Sequence, residues 1–172
     1  MANKHGVVIT THCAAWNVDA YNFSGVATTD LDNGTFVVLG DLQKTGGVID
    51  EYTFTVTVDA NGTSKAKYIV ASPVVGSTLA MQLTGDPREF YNVAGRPLSV
   101  KRIVDGDCIE VIGANFEDGA APTDQTTYTT ANIGANGKLS MVSADGAFKL
   151  LGTKSIAIGQ ELVPSYVLQY NA

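Results

Sequence analysis

A chain of 172 residues with 17 acidic and 11 basic side chains and a formal net charge of −6 has length for one ordinary domain or two small ones, and its scattered lysines and arginines exclude a nucleic-acid phosphate backbone as partner. Eighteen glycines and short apolar runs set off by turn dipeptides exclude a helical bundle. Two cysteines, Cys13 and Cys108, make no disulfide framework and are expected reduced; the Met1–Gly6 opening lacks a signal-peptide core and no stretch reaches the roughly 18 to 20 apolar residues of a membrane span, so no membrane partner and synthesis in a cytoplasm are expected.

Residues 1–24 read as an N-terminal arm. Val7 to Thr11 is strand-like, and periodicity is lost around Cys13 to Val18. The single tryptophan, Trp16, is either a core plug or an anchor on a partner. Two alternatives stand for the arm: Val7, Val8 and Ile9 add a strand to a neighbour's sheet while Trp16 buries itself there, or the segment is the first strand of the chain's own core. His5 and His12 flank this stretch with Cys13, but a metal centre needs further ligands at workable spacing, so both histidines are expected at the surface and no metal is expected.

Asp30, Asp32 and Asn33 match no complete calcium loop and read as turn formers; Asn33-Gly34 supplies a tight turn before the apolar run Phe36 to Leu39. The sequons at Asn22, Asn33 and Asn61 likewise read as turn chemistry rather than glycosylation sites. Tyr52, Phe54, Val56 and Val58 alternate with Thr53, Thr55 and Thr57, the period of a half-buried strand. Asp59 to Gly62 then predicts a reversal into Ser64 to Ala71 as a hairpin, with Tyr52, Phe54 and Tyr68 on core faces. Asp86 and Pro87 predict one capped helical turn, the single short helix expected.

Pro97 to Ile112 predicts a second hairpin about a type I′ turn at Asp105-Gly106. Leu98, Val100, Arg102 and Val104 share one face, Ser99, Lys101 and Ile103 the other, which suits a strand buried mainly on one side. The charges Lys101, Arg102, Asp105, Asp107 and Glu110 are expected to be solvated. Gly113 to Asp124, acidic and rich in turn formers, reads as a boundary or an exposed tip. Beyond it, Thr130–Ile133 pairs with Lys138–Val142 about Asn136-Gly137, followed by strands at Phe148–Leu151, Ser155–Ile158 and Val163–Tyr170. The fold expected is all-β, a small antiparallel barrel or sandwich, with 25–112 as a β-rich domain and 113–172 either part of it or a second small subdomain.

Catalytic motifs are not found: no Gly-x-Gly-x-x-Gly after a strand, no phosphate-cradling loop and no Gly-x-Ser-x-Gly elbow. Asp105 and Asp107, set at a solvated turn, make a poor acid/base pair. The chain is therefore expected to be no enzyme, with no catalytic residues and no cofactor.

Three stretches carry a resemblance: Leu31-Asp-Asn-Gly-Thr-Phe-Val-Val-Leu-Gly-Asp41, then Lys67-Tyr-Ile-Val-Ala-Ser-Pro73, then Glu89-Phe-Tyr-Asn-Val-Ala-Gly-Arg-Pro97 leading into Arg102 to Asp107. Their order resembles that in the head decoration or cement proteins of tailed bacteriophages, small proteins encoded near the major capsid protein. The similarity runs over Asn33 to Ile112 and loosely onward, leaving Trp16 outside. It implies a non-enzymatic protein on the outside of an assembled capsid, with the major capsid protein as partner and a homo-oligomer, dimer or trimer, as its form there. Capsid-binding residues are then expected at Val7, Val8, Ile9 and Trp16. Competing expectations are another virion part (tail, neck or fibre) and a small carbohydrate-binding β module.

Overall fold

The computed structural model describes residues 4–76, 82–83, 85–117, 129–142, 145–158 and 161–172. Among them lie eleven strands: β1 (Val8–His12), β2 (Asn22–Ala27), β3 (Phe36–Thr45), β4 (Val48–Val58), β5 (Lys67–Val70), β6 (Pro97–Ile103), β7 (Cys108–Ile112), β8 (Thr130–Ile133), β9 (Leu139–Val142), β10 (Phe148–Ile158) and β11 (Glu161–Tyr170). The expected all-β architecture is what forms. Among the described residues no helix reaches seven residues, and the expected turn at Pro87–Glu89 is one of five three-residue 3-10 turns there, capped by Asp86, whose Oδ1 accepts from the Arg88 N–H at 2.9 Å.

The strands divide between two sheets. Strands β2-β4-β3-β5-β6 close into a five-stranded barrel, antiparallel except for the β2–β4 pair, and β1-β7-β11-β10-β8-β9 form an antiparallel six-stranded sheet. Alternation along the barrel strands sends Val37, Val56, Val70, Leu98 and Val100 into the barrel interior. Side chains of opposite parity, Phe36, Ile69 and Ile103, leave the barrel's outer wall and enter a second core with Ile109, Phe148 and Leu168 of the six-stranded sheet. Strand β6 buries Leu98 and Val100 on the barrel side as expected, and on the opposite face only Ile103 is buried, at its end, while Ser99 and Lys101 stay half-exposed.

Neither expected hairpin forms, and the reason is the same in both places. Asp105-Gly106 is a true turn, with Asp107 N–H donating to Val104 at 3.0 Å. Only Gly106 takes positive φ there (87°), a type II rather than a type I′ pattern. A type II turn does not carry the twist of a two-residue hairpin, and it hands the chain from the barrel (β6) to the other sheet (β7). Asn61 and Gly62 do reverse the chain with positive φ (60° and 61°), but β3 lies between β4 and β5 in the barrel order. The type I′ geometry is found instead at Gly46 and Gly47 (φ 61° and 85°), joining β3 to β4 with Thr45 opposite Val48. The Ile133–Leu139 pairing about Asn136-Gly137 forms as expected.

The chain crosses between the two sheets after β1 and again after β6, so β1 joins the sheet of β7 to β11 while 22–103 make the barrel. The Gly113 stretch begins inside: Asn115 and Phe116 are buried. Its continuation at 118–124 lies outside the described residues.

Candidate interaction surface

The N-terminal segment is built into the molecule. Strand β1 pairs antiparallel with β7 (Val8 with Val111, Ile9 with Glu110) and forms one end of the six-stranded sheet. Gly6 sits directly over the Asn115 side chain, where a Cβ would come within 2.5 Å of its amide nitrogen. The carboxamide oxygen of Asn115 accepts from Val7 N–H at 3.1 Å, and His5 N–H donates to the Arg88 carbonyl at 2.7 Å. The segment that follows β1 is fixed by Asp107, whose carboxylate accepts from Ala14 N–H at 2.8 Å and from Val104 N–H at 2.9 Å.

Trp16 is the exception to this burial. It is 60% exposed, against 3% for Cys13 and 1% for Ala15 just before it. The core-plug alternative is thus excluded. Lys101 holds its ammonium 4.9 Å from the centre of the indole ring, a cation–π contact that fixes Trp16 at the mouth of a cleft. That cleft, about 390 Å³, runs between the N-terminal strand and the barrel wall and is lined by Val7, Val8, Trp16, Ser72, Ser99 and Lys101 among others. Three of the four residues singled out from sequence therefore meet in one place. Ile9 faces the other way, into a small depression with Cys108 and Glu110, because strand alternation puts it opposite Val8.

Through Ser72, Pro73 and Ser99 the cleft continues into a second hollow of about 350 Å³ beside Tyr91, Val93 and Arg96. The floor of the pair is the outward row of β6.

A second exposed surface is the β3–β4 ribbon. β3 pairs with β5 only at Phe36 and Val37, and β4 pairs with β2 only over Thr53–Val56, so the ribbon stands beyond the barrel with Val48 at 70%, Ile49 at 51% and Tyr52 at 84% exposure. Tyr52 is not on the core face expected for it, because it lies on the part of β4 beyond the pairing with β2. Phe54 and Tyr68 stay half-buried, each edge-on to Phe23.

Several charges expected to be solvated are not. Asp107 and Glu110 are buried; Glu110 accepts from the Ser165 hydroxyl at 2.6 Å and pairs with Lys154 at 2.8 Å. His5 is half-buried rather than at the surface, its Nδ1 2.7 Å from Asp32 and its ring against Tyr91, while Asp32 also meets Lys138 at 3.3 Å. Buried Arg88 forks onto Asp86 (2.7 Å) and reaches Glu161 (2.8 Å). Arg88 holds the Asp86 carboxyl below the ordinary carboxylate range.

No family model, curated protein or solved structure matches this chain.

The free thiols differ in setting. Burial, with the charge of Asp107 behind it, pushes the Cys13 thiol up to about 12, and its S–H points at the Cys108 carbonyl.

Proposed function

We propose that this chain is a non-enzymatic virion structural protein that sits on the outside of a phage head as a decoration or cement protein, with the major capsid protein as its partner. The observation that carries the proposal is Trp16: a sole tryptophan displayed at 60% exposure, braced by Lys101 at the mouth of a cleft. Tryptophan is usually mostly buried and is enriched among residues that dominate interfaces, so a folded domain that displays its only one offers an anchor. The scaffold beneath suits that duty, because a core shared by barrel and sheet fixes the cleft walls. The resemblance of the 31–41, 67–73 and 89–97 stretches to head decoration proteins supports the choice of partner. The ribbon tip at Val48, Ile49 and Tyr52 is a second apolar surface, and we place the self-contact of a dimer or trimer there. The test is composition and location: antibody raised against the purified chain is applied to purified particles from the source, with labelling of heads at regular stoichiometry expected. Particles that lack the chain, or carry it only on tails, overturn the proposal.

A further inference from the structure

The two joined hollows along β6 are unlike the rest of this acidic chain. Their lining contains two charged side chains, Lys101 in the first and Arg96 in the second, and not one aspartate or glutamate. Neither cation is paired with a carboxylate among the described residues. Several acids of the neighbouring segments are engaged elsewhere: Asp30 accepts from Ala94 N–H, Asp32 meets His5 and Lys138, Asp86 and Glu161 hold Arg88, and Asp107 accepts from Ala14 and Val104 N–H. In a chain of net charge −6, a groove whose described lining holds two cations without a carboxylate partner, one of them against the Trp16 ring, is a local inversion of sign.

Shape narrows the occupant. Arg96 closes the turn before β6, its N–H donating to the Val93 carbonyl, and Lys101 lies four residues beyond Pro97, about 13 Å of strand at roughly 3.3 Å per residue, so the two cations stand at separate ends of the groove, too far apart for one small anion to bridge. An extended polypeptide covers that span with carboxylates four to six residues apart. The walls suit a main chain: β1 pairs on one side only, and Ser72, Ser99 and Asn22 add polar groups between apolar Val8, Pro73 and Trp16. Strand-edge recognition of this kind takes affinity from main-chain hydrogen bonds and selectivity from side-chain pockets.

We infer that the groove along β6 seats an extended, acidic segment of a partner protein, whose carboxylates meet Arg96 and Lys101 while an apolar side chain packs against Trp16. The identity of that partner as the shell-forming protein rests on the function proposed above; the chemistry of the groove does not. The experiment pans a random twelve-residue peptide library against the full chain and measures a synthetic representative of the enriched peptides by fluorescence anisotropy. Enriched peptides should carry Asp or Glu four to six residues apart. Binding should weaken at least about tenfold in R96E/K101E, less in R96Q/K101Q, and fall as salt rises. The neutral pair keeps the test decisive if charge reversal disturbs folding, which circular dichroism reports. No enrichment, enrichment without acidic residues, or equal binding by the variants overturns the inference. So does selective binding of acidic oligosaccharides in place of peptides. Acidic peptides bound by a chain that never binds heads leave the groove assignment standing and remove the proposed function instead.

Discussion

The side-chain amide of Asn115 donates to the main-chain carbonyl of Asn33 at 2.8 Å, joining the turn after β7 to the turn before β3 across the two sheets. The Asn115 oxygen accepts from Val7 N–H and Ile112 N–H, and the Asn33 side chain bonds Ser72 through both of its ends. Asn92 closes the network onto the Asn33 oxygen at 3.1 Å. Asn115 is 1% exposed and Asn33 5%, so these bonds form away from water, where an unmade one is costly.

Asn115→Ala strands two N–H donors and a carbonyl and is expected to cost about 2 to 4 kcal/mol in urea denaturation. Asn115→Asp keeps the accepting oxygen but loses the donor and buries a charge, and should be no better. Gly34→Ala should be as damaging, since Gly34 has φ of 87° and a Cβ there would collide with the Asn115 amide nitrogen. A loss under about 0.5 kcal/mol for Asn115→Ala would show that the network is dispensable.

Phe36 belongs to a barrel strand and Phe148 to the six-stranded sheet, yet their rings are 5.1 Å apart in one core. Phe36→Ala should cost about 3 to 5 kcal/mol while unfolding remains a single transition by calorimetry and by fluorescence. Separate transitions for barrel and sheet would mean two independent units.

Much of the strand content was legible: alternation at 54–58 and 98–101 marks strands with one buried row, and the apolar runs at 148–151, 155–158 and 163–170 fall within β10 and β11. Pairing was not. Asp-Gly and Asn-Gly mark positions that tolerate positive φ, but they do not say whether the flanking strands become neighbours, and both reversals read as hairpins lead to strands placed elsewhere. Of the surface, Trp16 and the Val7–Ile9 strand were visible as residues, and Val7, Val8 and Trp16 meet at one cleft. Ile9 does not: within β1 it alternates with Val8 and lies against Cys108 and Glu110, whereas Val7 precedes the strand. Arg96, Lys101 and Asn115 drew no attention as a set: what distinguishes them is the missing acid around two of them and the buried partners of the third, which only three-dimensional neighbours reveal.

The Arg88 cluster predicts acid sensitivity of definite sign. Hydrogen bonds from the Arg88 side chain, helped by its main-chain N–H, lower the folded pKa of Asp86 against the opposing effect of burial. A carboxyl depressed in the folded state binds protons more readily when unfolded, so its stabilisation is complete above about pH 4 and is lost as pH falls through the folded value. Asp86→Asn should remove about 2 kcal/mol at pH 7 and flatten the loss of stability below pH 4. An unchanged acid limb in melting curves taken from pH 7 to pH 2 would contradict the assignment.

A Cys13 thiol raised to about 12 is almost wholly protonated at pH 8, with roughly one part in ten thousand as thiolate. Iodoacetamide should leave Cys13 unmodified in the native protein and alkylate both Cys13 and Cys108 in urea, as read by peptide mass spectrometry. Rapid native modification of Cys13 would show that the 10–16 segment opens readily.

The most direct measurement is occupancy on assembled heads purified without the chain, titrated with wild-type protein and with Trp16→Ser and followed by co-sedimentation. Trp16 is exposed, so the substitution should shift stability by no more than about 1 kcal/mol, the scale of its contact with Lys101. The account predicts saturable decoration by wild type and binding weaker by at least about tenfold for Trp16→Ser. Equal occupancy by a folded Trp16→Ser protein would contradict it.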